Sequence, residues 1–192
     1  MNAHIDITNV TLTTPRLILR PWKETDAADL YEYASVDGVG QMAGWNPHQS
    51  LEESRDILAR FIRGRHCFAL EHGGKAIGSL GIDEYNEEDY PELDSLQGRE
   101  LGYVLSKAYW GQGLVPEAVQ TVVRYLFETV RLDFLLVAHY AWNRQSRRVI
   151  EKCGFAYVKT VERETRYQTV EPSLEYILRR PERGAEHRSA RA

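Results

Sequence analysis

Residues 111–115, Gly-Gln-Gly-Leu-Val, have the composition of an anion-binding loop. They follow a predicted strand and precede a predicted helix, and Pro116 suits the first turn of that helix because its missing N–H needs no partner there. Gly111 and Gly113 permit a tight turn with close approach of the backbone. The loop amides and the helix N-terminus then point at one spot, which favours an anion such as a pyrophosphate.

Two common phosphate-binding loops do not match this stretch. A Walker loop needs Lys and then Ser or Thr after its last glycine, whereas Leu114 and Val115 follow Gly113. A dinucleotide-binding fingerprint needs a third glycine, where this chain has Pro116, and an acidic residue about 20 positions further on. A plain strand–turn–helix corner, with glycines needed only for the turn, remains the alternative interpretation.

The loop needs a strand before it and a helix after it. The periodicity of hydrophobic residues predicts both, in a chain that mixes strands and helices. About seven strands are predicted, over 16–20, 67–70, 76–82, 99–105, 134–140, 157–167 and 173–180. About four helices are predicted, from 25 or 26 to about 35, from the capping box at 50–53 onward, over 116–130 and over 143–153. Residues 1–11 are expected to form a loose lead-in and residues 181–192 a flexible tail.

Length and composition limit the class of protein. A chain of 192 residues that is 43% hydrophobic and 27% charged fits one globular domain, here assigned to residues 12–180. The longest apolar run, 134–138, is far shorter than a membrane span of roughly 20 residues, and residues 1–13 show no secretory signal. The net charge of −4 argues against a dedicated nucleic-acid binder. With only two cysteines, we expect a cytoplasmic protein with no nucleic-acid or membrane partner.

Several short motifs, taken in order, resemble the GNAT acetyltransferase family and, within it, the RimJ/RimL-like branch of ribosomal-protein N-terminal acetyltransferases. The matching motifs are Arg-Leu-Ile-Leu-Arg at 16–20, Gly-Trp-Asn-Pro at 44–47, Glu-Leu-Gly-Tyr-Val-Leu at 100–105, Trp-Gly-Gln-Gly at 110–113, Glu-Ala at 117–118, Asn143-x-x-Ser146 and Glu-Lys-x-Gly-Phe at 151–155. The resemblance covers about residues 12–180. It rests on the order and spacing of these motifs rather than on any one of them.

The resemblance implies an α+β fold with a single mixed, mostly antiparallel sheet that splays open between its fourth and fifth strands, 99–105 and 134–140. Acetyl-CoA is expected in that gap as the co-substrate, without a metal. The implied cofactor-binding residues are Tyr103, Val104 and Leu105 for the pantetheine, Gly111, Gln112, Gly113, Leu114 and Val115 for the pyrophosphate, and Asn143 beside the pantetheine arm. Val115 departs from the small residue that usually ends this loop, although its amide is still present.

Transfer of an acetyl group to an amine needs a neutral amine, a stabilised oxyanion and a protonated leaving thiol. Glu100 is the first candidate for the base, and a solvated carboxylate or one paired with Arg99 is the alternative interpretation. His139 is the rival base, although a lone His on an apolar strand is commonly structural. Many family members carry a Tyr acid where this chain has Ile150, so the resemblance assigns Ser146 to hydrogen-bond the leaving thiolate.

The acceptor site is the least defined part of this prediction. Trp45, Tyr85 and Trp142 are candidates for its walls, with core packing as the alternative. Seven carboxylates in residues 83–94 would favour a cationic acceptor if that loop folds over the mouth of the site, and a solvated hairpin loop is the other interpretation. The six histidines and two cysteines show no metal-ligand spacing, so no metal is expected.

The sequence therefore predicts an N-acetyltransferase that moves acetyl from acetyl-CoA to a primary amine by direct attack in a ternary complex. The amine belongs to a protein or peptide N-terminus or to a small molecule, and the sequence leaves both open. It also leaves open a homodimer. The alternative function is a non-catalytic acyl-CoA sensor or partner protein of the same fold, suggested by Ile150 and by Ala138, where some relatives carry a Glu.

Overall fold

The computed structural model describes residues 1–181, which contain one sheet of eight strands. The strands are β1 (Leu12–Thr13), β2 (Ile18–Pro21), β3 (Cys67–His72), β4 (Lys75–Asp83), β5 (Gly98–Leu105), β6 (Phe134–Tyr140), β7 (Ala156–Glu164) and β8 (Val170–Arg179). They lie in the order β1-β2-β3-β4-β5-β6-β8-β7, and only the β5–β6 pair is parallel. The predicted mixed, mostly antiparallel α+β sheet is confirmed, with the two-residue β1 as the eighth strand.

The same residues contain four α-helices, as predicted: α1 (Ala27–Ala34), α2 (Leu51–Gly64), α3 (Leu114–Tyr125) and α4 (Arg144–Lys152). The Ser50 side chain caps α2 by accepting from the Glu53 N–H, but the Glu53 carboxylate accepts from the Gln49 N–H instead of reaching back to Ser50. α3 begins two residues before the predicted start at Pro116. Its continuation, Leu126–Val130, is a π-helix that ends where the sequence predicted.

Helices cover both faces of the sheet. α1 and α2 pack over one face and bury Leu30 and Leu58. α3 and α4 pack over the other face, where Val122 and Ile150 lie in the same cluster as Leu101 of β5. Since side chains alternate along a strand, successive residues of β5 enter opposite layers. Within residues 1–181, no helix combines the length and the apolar character that a membrane span needs.

The expected loose lead-in at residues 1–11 is wrong. Ala3, Ile5 and Ile7 are buried in the main core, and Asn2 forms a parallel bridge with Gly98 at the start of β5. The signal is an apolar residue at every second position, which is typical of an extended segment lying on a core. Of the predicted tail at 181–192, residues 182–192 lie outside the described part of the chain.

The sheet opens between β5 and β6, as the resemblance implied. The two strands pair only over residues 98–101 and 134–137. Beyond that point β5 stays paired with β4 as far as Leu105, and β6 stays paired with β8 as far as Tyr140, but the two strands no longer pair with each other. A gap therefore forms between them, with one free strand edge on each side.

Candidate active site

A cavity of about 480 Å³ fills the gap between β5 and β6. On the α3 and α4 side it is lined by residues 109–111, 113–116 and several residues of 143–152, together with the end of β5. We call this part the loop half. On the opposite side of the sheet it is lined by Val39, Met42, Ala43, Glu100, Ala138, Tyr140, Arg163 and Ser173. We call this part the carboxylate half.

The glycine loop has the conformation that an anion site requires. Gly111 and Gly113 both have positive φ angles, 75° and 76°, which favour glycine over any residue with a side chain. Gly113 is the N-cap of α3, so the unpaired amides of the first helical turn face the loop half. Leu114 and Val115 line the cavity, whereas Gln112 does not and donates through Nε2 to the Ala108 carbonyl.

An ion pair holds this loop in place. Nε of Arg16 donates to Oε2 of Glu117 at 2.8 Å, and Nη1 donates to the Gln112 carbonyl at 2.8 Å. Glu117 lies in the first turn of α3, so Arg16 ties the start of the sheet to both the loop and the helix. Both residues belong to the motifs quoted above, but no pattern in the sequence indicates that they contact each other.

The open edge of β5 presents the backbone of alternate residues to the gap. The Ser106 N–H donates to the Ile77 carbonyl at 2.7 Å, so this residue points towards β4. By the alternation of antiparallel pairing, Val104 also points its polar backbone groups towards β4, while Tyr103 and Leu105 point theirs towards the gap. The Leu105 carbonyl accordingly accepts from the Trp110 ring N–H at 2.8 Å. Of the three predicted strand residues, Val104 therefore lines the cavity with its side chain only.

Asn143 lines the cavity, but protein groups engage both ends of its amide. Its Oδ1 accepts from the Ser146 N–H at 3.0 Å and caps α4, and its Nδ2 donates to the Met42 carbonyl at 3.0 Å. The residue thus joins the two halves of the cavity. Its implied contact with the pantetheine arm stays a prediction.

The Ser146 hydroxyl lies 2.8 Å from the Tyr103 hydroxyl, inside the loop half. Burial raises the pKa of the Tyr103 phenol, so it remains protonated over the ordinary pH range. The family resemblance predicted a role for Ser146, but for Tyr103 it predicted only a backbone contact with the pantetheine. Alternation along β5, which sends residue 103 into the α4 layer, was the available signal.

Glu100 lies in the carboxylate half, on the face of the sheet opposite to Tyr103. Burial has the largest effect on the pKa of its carboxyl and raises it. The positive charge of Arg163 lowers this pKa, whereas the negative charges of Glu175, Asp83 and Asp89 raise it further. Nη2 of Arg163 lies 3.6 Å from Oε1 of Glu100. A raised pKa suits a general base that works near neutral pH.

Arg99 is not the partner of Glu100, so the predicted alternative of an Arg99–Glu100 pair is wrong. The Arg99 side chain is buried, and its Nε donates to the Ala3 carbonyl at 2.6 Å. Its Nη1 lies 3.5 Å from Oε1 of Glu84.

His139 has the contacts of a structural histidine. Its Nδ1 lies 2.8 Å from the Tyr140 carbonyl, which can only accept, so Nδ1 carries the proton. Its Nε2 lies 3.2 Å from the Tyr176 hydroxyl. Burial lowers the pKa of the imidazole, which favours the neutral ring. Since both nitrogens are engaged, the geometry favours Glu100 over His139 as the base.

The three predicted acceptor aromatics do not line the cavity. Tyr85 is buried against Phe134, at a ring distance of 5.4 Å. Trp45 packs over Gly40, where a Cβ atom would lie 2.2 Å from its ring. Trp142 is 42% exposed and stacks on Tyr140, which does line the cavity.

Residues 83–94, which carry the seven carboxylates and are called the acidic loop here, cover the closed end of the gap rather than its mouth. Its Tyr90 and Leu93 are buried with Phe134 and Leu136 of β6, where the two strands still pair. None of its seven carboxylates, all within the described residues, lines the cavity. The loop therefore acts on the site at a distance, through the charges of Asp83 and Asp89 on Glu100.

Two basic side chains of α4, Arg148 and Lys152, line the loop half. They are four residues apart and so share one face of the helix. Together with the helix N-terminus of α3 and the glycine loop, they form a donor set that fits the phosphates of a nucleotide-bearing acyl carrier. The sequence did not single them out because basic residues on a short helix usually form a solvated face.

In the described part of the chain, no three His, Cys, Asp or Glu side chains come together as a metal-ion site would require.

Comparisons with known proteins agree with this geometry. The family described as the acetyltransferase (GNAT) domain matches residues 16–156. The uncharacterized N-acetyltransferase p20 of Bacillus licheniformis is 27% identical over 153 residues, which cover 76% of this chain and 82% of that protein. A GNAT-family acetyltransferase from Bacillus anthracis shares the fold with a TM-score of 0.77 at 20% identity, covering 89% of this chain and 99% of that one. RimJ from Mycobacterium smegmatis, in complex with CoA-disulfide, gives a TM-score of 0.73 at 19% identity, covering 92% and 90% of the two chains.

Proposed function

Since this chain belongs to the GNAT acetyltransferase family, we propose that it is an N-acetyltransferase that moves acetyl from acetyl-CoA to a primary amine. The observation that carries this proposal is the cavity itself, which joins a free strand edge, a glycine loop at a helix N-terminus and the half-buried carboxylate of Glu100. The first two features suit an extended thioester with phosphates at one end. The third suits removal of a proton from an amine.

The loop half is the proposed site for CoA. The amides of residues 111–115 would hold the pyrophosphate, and Arg148 and Lys152 would neutralise the remaining phosphate charge. The backbone groups of Tyr103 and the N–H of Leu105 would pair with the amides of the pantetheine arm, since the Leu105 carbonyl already accepts from Trp110. The RimJ structure supports this assignment, since that protein shares the fold and carries a CoA derivative.

Glu100 is the proposed general base. An amine with a pKa near 10.4 is only about 0.04% neutral at pH 7, so a base matters most for acceptors of that type. Glu100 precedes Tyr103 by three residues, which is about 10 Å along a strand. We therefore propose that the proton travels from the amine to the Glu100 carboxylate through water, while the nitrogen lone pair attacks the thioester carbon.

Ser146 is proposed to hydrogen-bond the departing thiolate. The carbon–sulfur bond breaks as the amide forms, and the sulfur then carries the negative charge. Tyr103 stays protonated, so it can donate to the Ser146 oxygen and leave the Ser146 hydrogen free for the sulfur. The backbone N–H of Leu105 or Tyr103 would polarise the thioester carbonyl.

The acceptor enters the carboxylate half in this proposal. Val39, Met42 and Ala43 supply an apolar wall. The negative charges of Glu100, Asp83 and Asp89 support a cationic acceptor. The positive charge of Arg163 would repel such an acceptor. The likeness to RimJ supports the RimJ/RimL-like branch, although the fold alone does not select a peptide N-terminus over a small amine. A cytoplasmic location and a homodimer remain predictions.

A thermal-shift measurement with acetyl-CoA, with NAD and ATP as controls, tests the cofactor site first. A ligand at 100 times its dissociation constant adds about 2.7 kcal/mol of stability, which corresponds to a shift of about 5–10 °C here. A panel of amines, followed by release of free thiol, then tests turnover. Binding without turnover on any amine would favour the non-catalytic alternative, and no shift in a folded sample would contradict the proposal.

A further inference from the structure

Glu175 is a buried carboxylate that acetyl transfer, as proposed, does not use. It lies on β8, only 2% exposed, and faces Ala138 of β6 in the register. The Tyr90 hydroxyl donates to its Oε2, and Nη2 of Arg163 donates to its Oε1 at 2.6 Å. Burying a carboxylate costs desolvation free energy even when donors surround it. A role for Glu175 in the fold or in the site is therefore expected.

Arg163 connects this carboxylate to the proposed base. The same Nη2 atom that bonds Glu175 lies 3.6 Å from Oε1 of Glu100. Because the strands lie in the order β5-β6-β8-β7, the Arg163 side chain must extend from β7 across β8 and β6 to approach β5. The β6 residue opposite Glu175 is Ala138, which lines the same cavity as Glu100 and Arg163.

We propose that Arg163, tethered by the buried Glu175, is a positioning residue that fixes the orientation and the charge of the Glu100 carboxylate. This inference rests on the proposed role of Glu100 as the base. Neither Arg163 nor Glu175 touches the reacting atoms in the proposal. Both act through Glu100.

The charges that face Glu100 come from four elements. Asp83 of β4, Glu175 of β8 and Asp89 of the acidic loop are carboxylates, and they disfavour ionisation of Glu100 together with burial. Arg163 of β7 is the cation that opposes them at Glu100, while Lys159, also of β7, lies 3.9 Å from Oε2 of Glu175. Tyr90 is kept neutral by its own raised pKa, for which burial is the main cause. Without Arg163, Glu100 would remain protonated to a higher pH and could not accept a proton there.

Glu175 also limits how tightly Arg163 holds Glu100. The guanidinium makes its short contacts, 2.6 and 3.2 Å, with Glu175 and only a long one with Glu100. A direct hydrogen-bonded pair would occupy the Glu100 oxygens and make the carboxylate too weak a base. The tether therefore keeps Glu100 ionised while leaving its oxygens free to accept a proton.

The test is a pH titration of the Glu100 side chain by ¹³C NMR, with its signal assigned by its loss in Glu100→Gln. Arg163→Gln is expected to raise the midpoint by about one pH unit, because the attractive charge is lost. Glu175→Gln is expected to lower it, because a repulsive carboxylate is lost while the side chain can still accept from Arg163. Arg163→Lys should restore part of the first shift. Arg166→Gln, which removes an exposed cation nearby in the turn that joins β7 to β8, is the matched control and should leave the midpoint unchanged.

The titration needs neither acetyl-CoA nor an amine, so its outcome is separate from that of the proposed function. If Arg163→Gln shifts the midpoint no more than Arg166→Gln, or if Glu175→Gln raises it, the inference is overturned. Once an accepted amine is known, the acid limb of the pH–rate profile should move to higher pH in Arg163→Gln and to lower pH in Glu175→Gln. An unchanged limb in Arg163→Gln would likewise overturn the inference.

Discussion

The two halves of the cavity are built from different kinds of atom. The loop half uses backbone amides, those of residues 111–115 and those of Tyr103 and Leu105 on the free edge of β5. The carboxylate half uses side chains, chiefly Glu100 and Arg163, that come from strands far apart in sequence. Backbone donors are set by the local conformation of the chain, whereas a side-chain cluster is set by the register of distant strands.

This difference predicts how each half responds to substitution. Replacing a side chain in the loop half should cost little affinity for acetyl-CoA, because the phosphate donors are amides that every residue except proline carries. Replacing a side chain in the carboxylate half removes the chemical group itself. Acetyl-CoA binding is therefore sensitive mainly where the backbone conformation of the loop requires glycine.

Glu100→Gln gives the largest expected effect. We expect kcat to fall by about 10²- to 10⁴-fold, because the amide cannot accept the proton of the amine. The dissociation constant for acetyl-CoA should stay unchanged, since Glu100 lies in the other half. Steady-state kinetics and calorimetry check the two quantities, and Glu84→Gln is the control because that carboxylate does not line the cavity. Normal turnover in Glu100→Gln would remove Glu100 as the base.

Ser146→Ala tests the one side chain of the loop half that is proposed to contact the leaving sulfur. Loss of one hydrogen bond to a charged sulfur is expected to lower kcat by about 10- to 100-fold. Tyr103→Phe should lower kcat less, because it only orients Ser146 in the proposed mechanism. The affinity for acetyl-CoA is expected to change little in either variant. A larger loss in Tyr103→Phe than in Ser146→Ala would make Tyr103 the residue that contacts the sulfur.

Gly113→Ala tests whether the loop half depends on the backbone. A side chain at a φ angle of 76° costs about 1–2 kcal/mol, so acetyl-CoA binding should weaken by about 5- to 30-fold if the strain alters the loop. Gly74→Ala is the matched control, since Gly74 has a φ angle of 82° in the β3–β4 hairpin and nothing lies within 4 Å of its added Cβ atom. Both variants should lose stability, but only Gly113→Ala should lose affinity. Equal affinities would mean that the loop is an ordinary corner.

The same difference explains what could be predicted from the sequence. The loop follows from a local pattern, the free strand edge and Ser146 were implied by the family resemblance, and the structure brings all three together in one cavity. Arg163 and Glu175 are 12 residues apart on two strands, and nothing local relates either of them to Glu100. Their meeting depends on β8 inserting between β6 and β7, which no short motif encodes.

The prediction of the acceptor aromatics is wrong for the same reason. Residue type alone favours Trp45, Tyr85 and Trp142, but burial decides their roles. Tyr85 belongs to the cluster that closes the gap, and Trp45 fills the space over Gly40. Tyr140, which the sequence did not predict as an acceptor residue, lines the cavity because the pairing of β6 with β5 ends before it, at Val137.

Arg148→Gln gives the smallest expected effect and sharpens the contrast between the halves. Arg148 is one of the two exposed basic side chains, with Lys152, that the loop half adds to its amides, so its loss should weaken acetyl-CoA binding by only about two- to fivefold. The loss should shrink as salt is raised, because exposed charges are screened. Arg144→Gln, on the same helix but outside the cavity lining, is the control. Calorimetry at two salt concentrations checks both, and a loss far larger than fivefold would mean that side chains rather than amides hold the phosphates.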